Sequence, residues 1–121
     1  MVANRNLTHI NSNGDVEPCI FTHFAQDNIK EKSLKEVLQS NFFKAIRKRQ
    51  PYNKNLFLPC MLVDNPEVFR EINKEVKIRP THPGAESLTN KLKPGIDKYS
   101  KEVKKLYKPI WEDFKSKRNS K

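Results

Sequence analysis

Two Pro-Cys pairs, Pro18-Cys19 and Pro59-Cys60, constrain this chain of 121 residues more than any other feature. They contain both of its cysteines. Each cysteine directly follows a proline, which has no amide proton for a β-ladder and therefore marks the end of a strand or a turn. From the residues alone, the two thiols are buried core residues, a disulfide or half of a metal site.

The segment that leads to the first cysteine has the pattern of a β-hairpin. Residues 7–10 and 16–21 are compatible with strands, and Asn13-Gly14 between them supplies the positive φ that a tight turn requires. Cys19 therefore leaves the second strand of the hairpin. Residues 50–55 form a loop after which the chain returns to Cys60, so that the second thiol comes back toward the first.

Three short helices are predicted, two before the loop of residues 50–55 and one after Cys60. Ser33 and Glu36 form a capping box, and Ser40 caps a second helix. Asp64 or Asn65 caps a third helix, in which Pro66 occupies the first turn. The aromatic residues of the second helix and of the C-terminal segment are expected to serve core and helix packing rather than to stack on a cofactor: Phe42, Phe43 and Trp111.

The C-terminal third is predicted to be helical. Residues 85–92 form a helix that Pro94-Gly95 ends, and a long amphipathic helix with a kink near Pro109 follows. Its apolar stripe requires a partner surface. The expected fold class is α+β, with an N-terminal two-stranded hairpin, short helices and a long amphipathic C-terminal helical segment. We expect two regions, 1–78 with the cysteines and 79–121 as a helical extension with a basic tail.

Composition and charge restrict the function further. The net charge is +10, and residues 91–121 hold eleven Lys/Arg against four Asp/Glu. These lysines are spread along a helical pattern rather than clustered with aromatic platforms, so a nucleic-acid partner is not expected. No apolar run is long enough for a membrane span or a signal peptide, which predicts a cytoplasmic protein. In the cytoplasm, thiols or metal ligands are more common than a structural disulfide.

The ordered series of short motifs resembles the C-terminal auxiliary-cluster region of radical SAM proteins, known as the SPASM or twitch domain. The resemblance covers residues 5 to 114 and looks closest to one bacterial subfamily. It rests on these motifs together: Asn13 through Cys19, Asn28-Ile29, Ser33-Leu34, Glu36-Val37-Leu38, Ser40 through Arg47, Pro59-Cys60-Met61, Asp64-Asn65-Pro66 and Pro80 through Glu86.

The resemblance implies that Cys19 and Cys60 bind an auxiliary iron–sulfur cluster, usually 4Fe-4S, beside a barrel that binds S-adenosylmethionine in full-length relatives. The family places a further cysteine just before the hairpin, which here falls at or before Met1, and the CxxxCxxC motif of the catalytic cluster does not occur. The chain is therefore expected to be a C-terminal fragment that does not cleave S-adenosylmethionine alone. Its expected partner is the missing barrel or a separate protein surface.

Other interpretations remain open at this point. The chain could instead be a small basic domain that docks on an acidic protein or on nucleic acid, with both cysteines buried. Zinc could bind the two thiols and a histidine. Among His9, His23 and His82, His23 is the best nitrogen ligand because it lies four residues after Cys19. An exposed or hydrogen-bonded histidine is nevertheless the more common case.

Overall fold

Two small antiparallel sheets organise the cysteine-containing part of the protein. The computed structural model describes residues 7–119. Strand β1 (His9–Ile10) pairs with β2 (Val16–Glu17), which confirms the predicted hairpin. Strand β3 (Phe24–Ala25) pairs with β4 (Arg79–Pro80), so the second sheet joins segments that lie far apart in the chain.

The hairpin turn depends on a glycine. Gly14 has a φ of 88°, and a Cβ at this position would lie 2.8 Å from Oδ1 of Asn28. Oδ1 of Asn11 accepts the amide protons of Asn13 and Asp15 at 2.9 and 3.1 Å. The positive φ and the close approach of Asn28 both require a residue without a side chain here.

The first two helices begin where the sequence predicts. Helix α1 (Leu34–Leu38) begins at Ser33, whose hydroxyl accepts the Glu36 amide proton at 3.2 Å while the Glu36 carboxylate accepts the Ser33 amide proton. Helix α2 (Asn41–Arg49) begins at Ser40, whose hydroxyl accepts the third amide of the helix. The capping box and the second cap are therefore confirmed.

The third helix, α3 (Pro66–Glu75), begins differently from the prediction in one respect. Pro66 occupies its first turn, where the missing amide proton has no cost. Asn65 lies at the N-cap position, but its side chain makes no capping bond. It donates instead to the carbonyl oxygens of Leu58 and Cys60, so its role is in the preceding loop.

One apolar core joins the two sheets to the first three helices. Two of its members, Phe24 and Phe69, have rings that lie 4.9 Å apart. Phe42 and Phe43 are buried, as predicted. The remaining buried apolar members are Val16, Val37, Ala45, Ile46, Met61, Leu62, Val68, Ile72, Val76 and Ala85.

The C-terminal part is helical but divided differently from the prediction. A short 3-10 helix covers Ala85–Thr89, and helix α4 covers Lys93–Asn119. Pro94 lies in the first turn of α4 and does not end a preceding helix, because a proline in a first turn removes no intrahelical hydrogen bond. Pro109 lies inside α4, which continues past it; the kink remains a prediction.

Helix α4 packs on the rest of the protein along one side. The buried Ser100 hydroxyl donates to the carbonyl oxygen of Asp64 at 2.7 Å, and Arg70 pairs with Asp97 at 2.6 Å. The Phe57 ring lies 5.4 Å from that of Trp111. Part of the apolar stripe, including Tyr99, Leu106 and Ile110, stays exposed. Within residues 7–119, no helix combines the length and the apolar character that crossing a membrane requires.

Candidate functional site

The first cysteine lies in a tight turn that follows β2, which we call the Cys19 loop (residues 18–22). Thr22 closes this turn by donating its amide proton to the Cys19 carbonyl oxygen at 3.2 Å. Its buried hydroxyl lies 3.1 Å from the Cys19 sulfur, and either group can donate. When Cys19 is a thiolate, the hydroxyl has to be the donor, so Thr22 is placed to stabilise negative charge on this sulfur.

The second cysteine lies in a loop between α2 and α3, the Cys60 loop (residues 59–64). Asp64 accepts the Cys60 amide proton at 3.0 Å, and the Cys60 sulfur accepts the Leu62 amide proton at 3.4 Å. The Cys60 carbonyl accepts both the backbone and the side-chain amide of Asn65, at 2.9 and 3.0 Å. A backbone amide that donates to the sulfur is therefore present after the second Pro-Cys pair.

The fold brings the two loops to one cavity. A cavity of about 260 Å³ is lined by both cysteines and by mostly apolar neighbours. Both cysteines are free thiols with partial exposure, so they do not form a disulfide. The other lining residues are Leu7, Ile20, Phe21, Thr22, Pro59 and Met61. The cavity therefore offers two sulfur ligands in a largely apolar surrounding.

Beside the Cys19 loop lies a buried carboxylate with two imidazoles near it. Glu17 is only 1% exposed. Nε2 of His9 and Nδ1 of His23 each lie 3.6 Å from a different oxygen of this carboxylate. The rings of His23 and His82 lie 5.3 Å apart. His9 and His23 therefore lie beside Glu17, His82 lies beside His23, and none of the three lines the cavity that the two thiols share.

A second buried carboxylate anchors the hairpin turn to the far strand β4. Arg79 donates a hydrogen bond from Nη2 to Oδ1 of Asp15, and Asn28 donates to the same oxygen at 3.0 Å. The hydrogen bond from the Arg79 guanidinium holds the pKa of Asp15 below its ordinary value, and the side-chain amides of Asn28 and Asn11 act in the same direction. Asp15 is thus an ionised structural group rather than a proton donor.

A sequence model of the SPASM family, described as an iron–sulfur cluster-binding domain, matches residues 2–62. The chain belongs to the SPASM family. The matched region contains both Cys19 and Cys60, so the cavity lies within the SPASM domain. No curated protein matched the chain, and no solved structure did.

A second, larger cavity adjoins the first in this SPASM protein. It measures about 630 Å³ and shares Phe21 and Cys60 with the first cavity. His23 and His82 line it, whereas neither histidine lines the cavity that contains both cysteines. Across residues 7–119, no three or more His, Cys, Asp or Glu side chains form a group that could hold a metal ion. The structure therefore does not place His23 beside both thiols.

Several residues around the SPASM cysteines were not singled out by sequence reasoning. Thr22 lies three residues after Cys19, which is the spacing of the first and last residues of a β-turn. This spacing could have indicated that Thr22 contacts Cys19. The side-chain role of Asn65 was missed because an Asn before a proline also predicts a helix cap. Thr81 lies in one of the motifs of the resemblance, Pro80 through Glu86, but nothing in that motif indicates its contact with Glu17.

Proposed function

We propose that this SPASM domain holds an iron–sulfur cluster of the 4Fe-4S type, with Cys19 and Cys60 as two of its ligands. The observation that carries the proposal is that two Pro-Cys loops from distant parts of the chain line one cavity, within a region that matches a cluster-binding family. Thiolates are the ordinary protein ligands of iron in such clusters.

The two thiols of this protein fit part of such a site. A 4Fe-4S cluster takes about four protein ligands, and the sequence contains two cysteines. We propose that the remaining ligands come from groups other than cysteines of this chain. Each of the two sulfurs already has a hydrogen-bond partner, the Thr22 hydroxyl for Cys19 and the Leu62 amide for Cys60. Hydrogen bonds of this kind offset the negative charge of ligand thiolates.

When bound, the cluster supplies one-electron transfer. The chain's own residues hold it, shield it and set the charge around it. Apolar walls such as Ile20 and Met61 limit the access of water to the sulfurs. Burial and hydrogen bonds to sulfur are the two means by which a protein adjusts the potential of an iron–sulfur cluster.

We further propose that the domain works beside the S-adenosylmethionine-binding barrel of a radical SAM protein, as an auxiliary module in the cytoplasm. Support comes from the rim of the cavity, where Ile20 is 48% and Phe21 72% exposed. Exposed apolar residues next to a site are typical of surfaces that another protein covers. The barrel is the partner that the sequence resemblance implies.

Anaerobic reconstitution with iron and sulfide tests the cluster proposal. Wild-type protein is expected to turn brown, with broad visible absorption and bound iron and sulfide in matching amounts. Cys19→Ser and Cys60→Ser should each lose most of the absorption, because either change removes one of two cysteine ligands. Asn90→Ala is the control, since this exposed side chain does not line either cavity.

Two outcomes would contradict the proposal. Wild-type protein that stays colourless and binds no iron after reconstitution would exclude a cluster in this chain. Colourless protein that retains zinc by elemental analysis, and loses it in both cysteine variants, would assign the two thiols to a zinc site instead. Circular dichroism of each variant separates the loss of a ligand from the loss of the fold.

A further inference from the structure

The Cys19 loop is held at both of its ends. Glu17 precedes it at the end of β2, and His23 follows it just before β3. Inside the loop, the hydrogen bonds in the described part of the chain are those between Cys19 and Thr22. The position of the Cys19 sulfur therefore depends on how firmly the two flanking residues are fixed.

One residue, Thr81, contacts both flanks. Its hydroxyl donates a hydrogen bond to Oε2 of Glu17, and its backbone amide donates one to the carbonyl oxygen of His23 at 2.9 Å. Thr81 directly follows β4 and lies outside residues 2–62, the region that matches the SPASM family. A threonine far along the chain thus closes the base of the loop that contains the first cysteine.

The bond to Glu17 matters because this carboxylate is buried. A buried charge is strongly disfavoured unless hydrogen bonds replace its hydration. His9 and His23 lie 3.6 Å from its oxygens, which is beyond ordinary hydrogen-bond distance. Among the described residues, the Thr81 hydroxyl is the donor that reaches the Glu17 carboxylate at hydrogen-bond distance.

We propose that Thr81 is a positioning residue for Cys19: through Glu17 and His23 it fixes the loop that presents this sulfur to the cavity. The ligand role of Cys19 rests on the proposed function, whereas the clamp on the loop does not. The SPASM site therefore extends to strand β4 and the residue after it. Thr81→Val removes the hydroxyl donor but retains both the β-branched shape and the backbone bond to His23.

Hydrogen–deuterium exchange on the cluster-free protein tests the clamp directly. In Thr81→Val, amides of a peptide covering residues 16–24 should exchange about tenfold faster, because a hydrogen bond to a buried charge is lost. A peptide covering residues 56–64, which contains Cys60, should exchange at the wild-type rate. Thr81→Ser retains the hydroxyl and should restore slow exchange in the first peptide.

Thr89→Val is the matched control. Thr89 is also half-buried, and its hydroxyl donates to a backbone carbonyl, that of Glu86, at 3.0 Å within the 3-10 helix. This variant should leave exchange in both peptides unchanged. Equal acceleration of both peptides in Thr81→Val would reveal a general loss of stability and overturn the proposal, as would unchanged exchange in residues 16–24.

A second measurement uses the reconstituted protein. Thr81→Val should release iron to a chelator several-fold faster than wild-type, Thr81→Ser and Thr89→Val proteins, since a loosened loop holds one ligand less firmly. Equal release rates in a protein that binds a cluster would show that the clamp does not serve the site. Failure of wild-type protein to bind iron would defeat the proposed function, while the exchange experiment would still decide the clamp.

Discussion

Asn65 offers the sharpest test of how the Cys60 loop is held. The side chain is completely buried, and its amide nitrogen donates to the carbonyl oxygens of Leu58 and Cys60 at 2.9 and 3.0 Å. Its side-chain oxygen accepts a hydrogen bond from the side-chain amide of Asn53 at 3.0 Å. Asn65→Ala removes all three hydrogen bonds at once and leaves the Leu58 carbonyl without this donor.

The expected cost follows from the number of bonds. At about 1 kcal/mol for each hydrogen bond, Asn65→Ala should lower the free energy of unfolding by about 3 kcal/mol. For a domain of this size, that loss corresponds to a fall in Tm of about 10 °C. Urea denaturation followed by circular dichroism measures the first quantity, and thermal unfolding measures the second. Reconstitution with iron should also become less efficient, since the Cys60 loop loses its anchor.

Asn90→Ala is the matched control for this prediction. Asn90 is exposed, and within residues 7–119 its side chain accepts one hydrogen bond, from the neighbouring Lys91 amide. Its removal should change the free energy of unfolding by about 0.5 kcal/mol or less. Asn65→Asp, which keeps the shape and the acceptor but not the donors, should destabilise at least as much as the alanine. If Asn65→Ala falls within about 1 kcal/mol of the control, the loop does not depend on these bonds.

Two further predictions concern the hairpin. Because Arg79 lowers the pKa of Asp15, this pair stabilises the fold above the unfolded-state pKa of about 4, and the contribution disappears as the pH falls through the lower folded-state value. Asp15→Asn should therefore reduce stability at neutral pH and weaken the loss on acidification, and identical acid dependence in both proteins would refute this. Gly14→Ala should cost about 1–2 kcal/mol or more, since φ is 88° and Asn28 leaves no room for a Cβ. Gly95→Ala, which adds a Cβ in open space within α4, should be neutral or stabilising in the same thermal melts, and an equal loss in both variants would contradict the reasoning.

The features that sequence reasoning predicted correctly are local ones. The turn at Gly14, the capping box of Ser33 and Glu36, and Pro66 in a first turn each depend on residues within a few positions of one another. Such interactions need only the local backbone conformation of a turn or of a helix end. The residue types in these short segments are therefore enough to predict them. The ordered motifs around Cys19 and Cys60 also indicated the SPASM family, which the periodic pattern of apolar residues cannot indicate.

The predictions that needed revision involve competition between local and distant interactions. Asn65 has the residue type of a helix cap, but its side chain makes better use of the carbonyls in the Cys60 loop. Pro94 has the residue type of a helix terminator, yet it is accommodated in the first turn of α4. In both cases the residue type allows two structures, and contacts elsewhere select one of them.

The sequence by itself determined that this protein is α+β, that a hairpin leads to Cys19 and that its two thiols belong to Pro-Cys loops of a SPASM domain. Only the tertiary structure decided that both loops line one cavity, that His9 and His23 lie beside Glu17 instead, and that Thr81 closes the Cys19 loop. The physical reason is distance along the chain. A bond between Thr81 and Glu17 forms only after the core and the pairing of β3 with β4 have brought them together, and no local pattern records it.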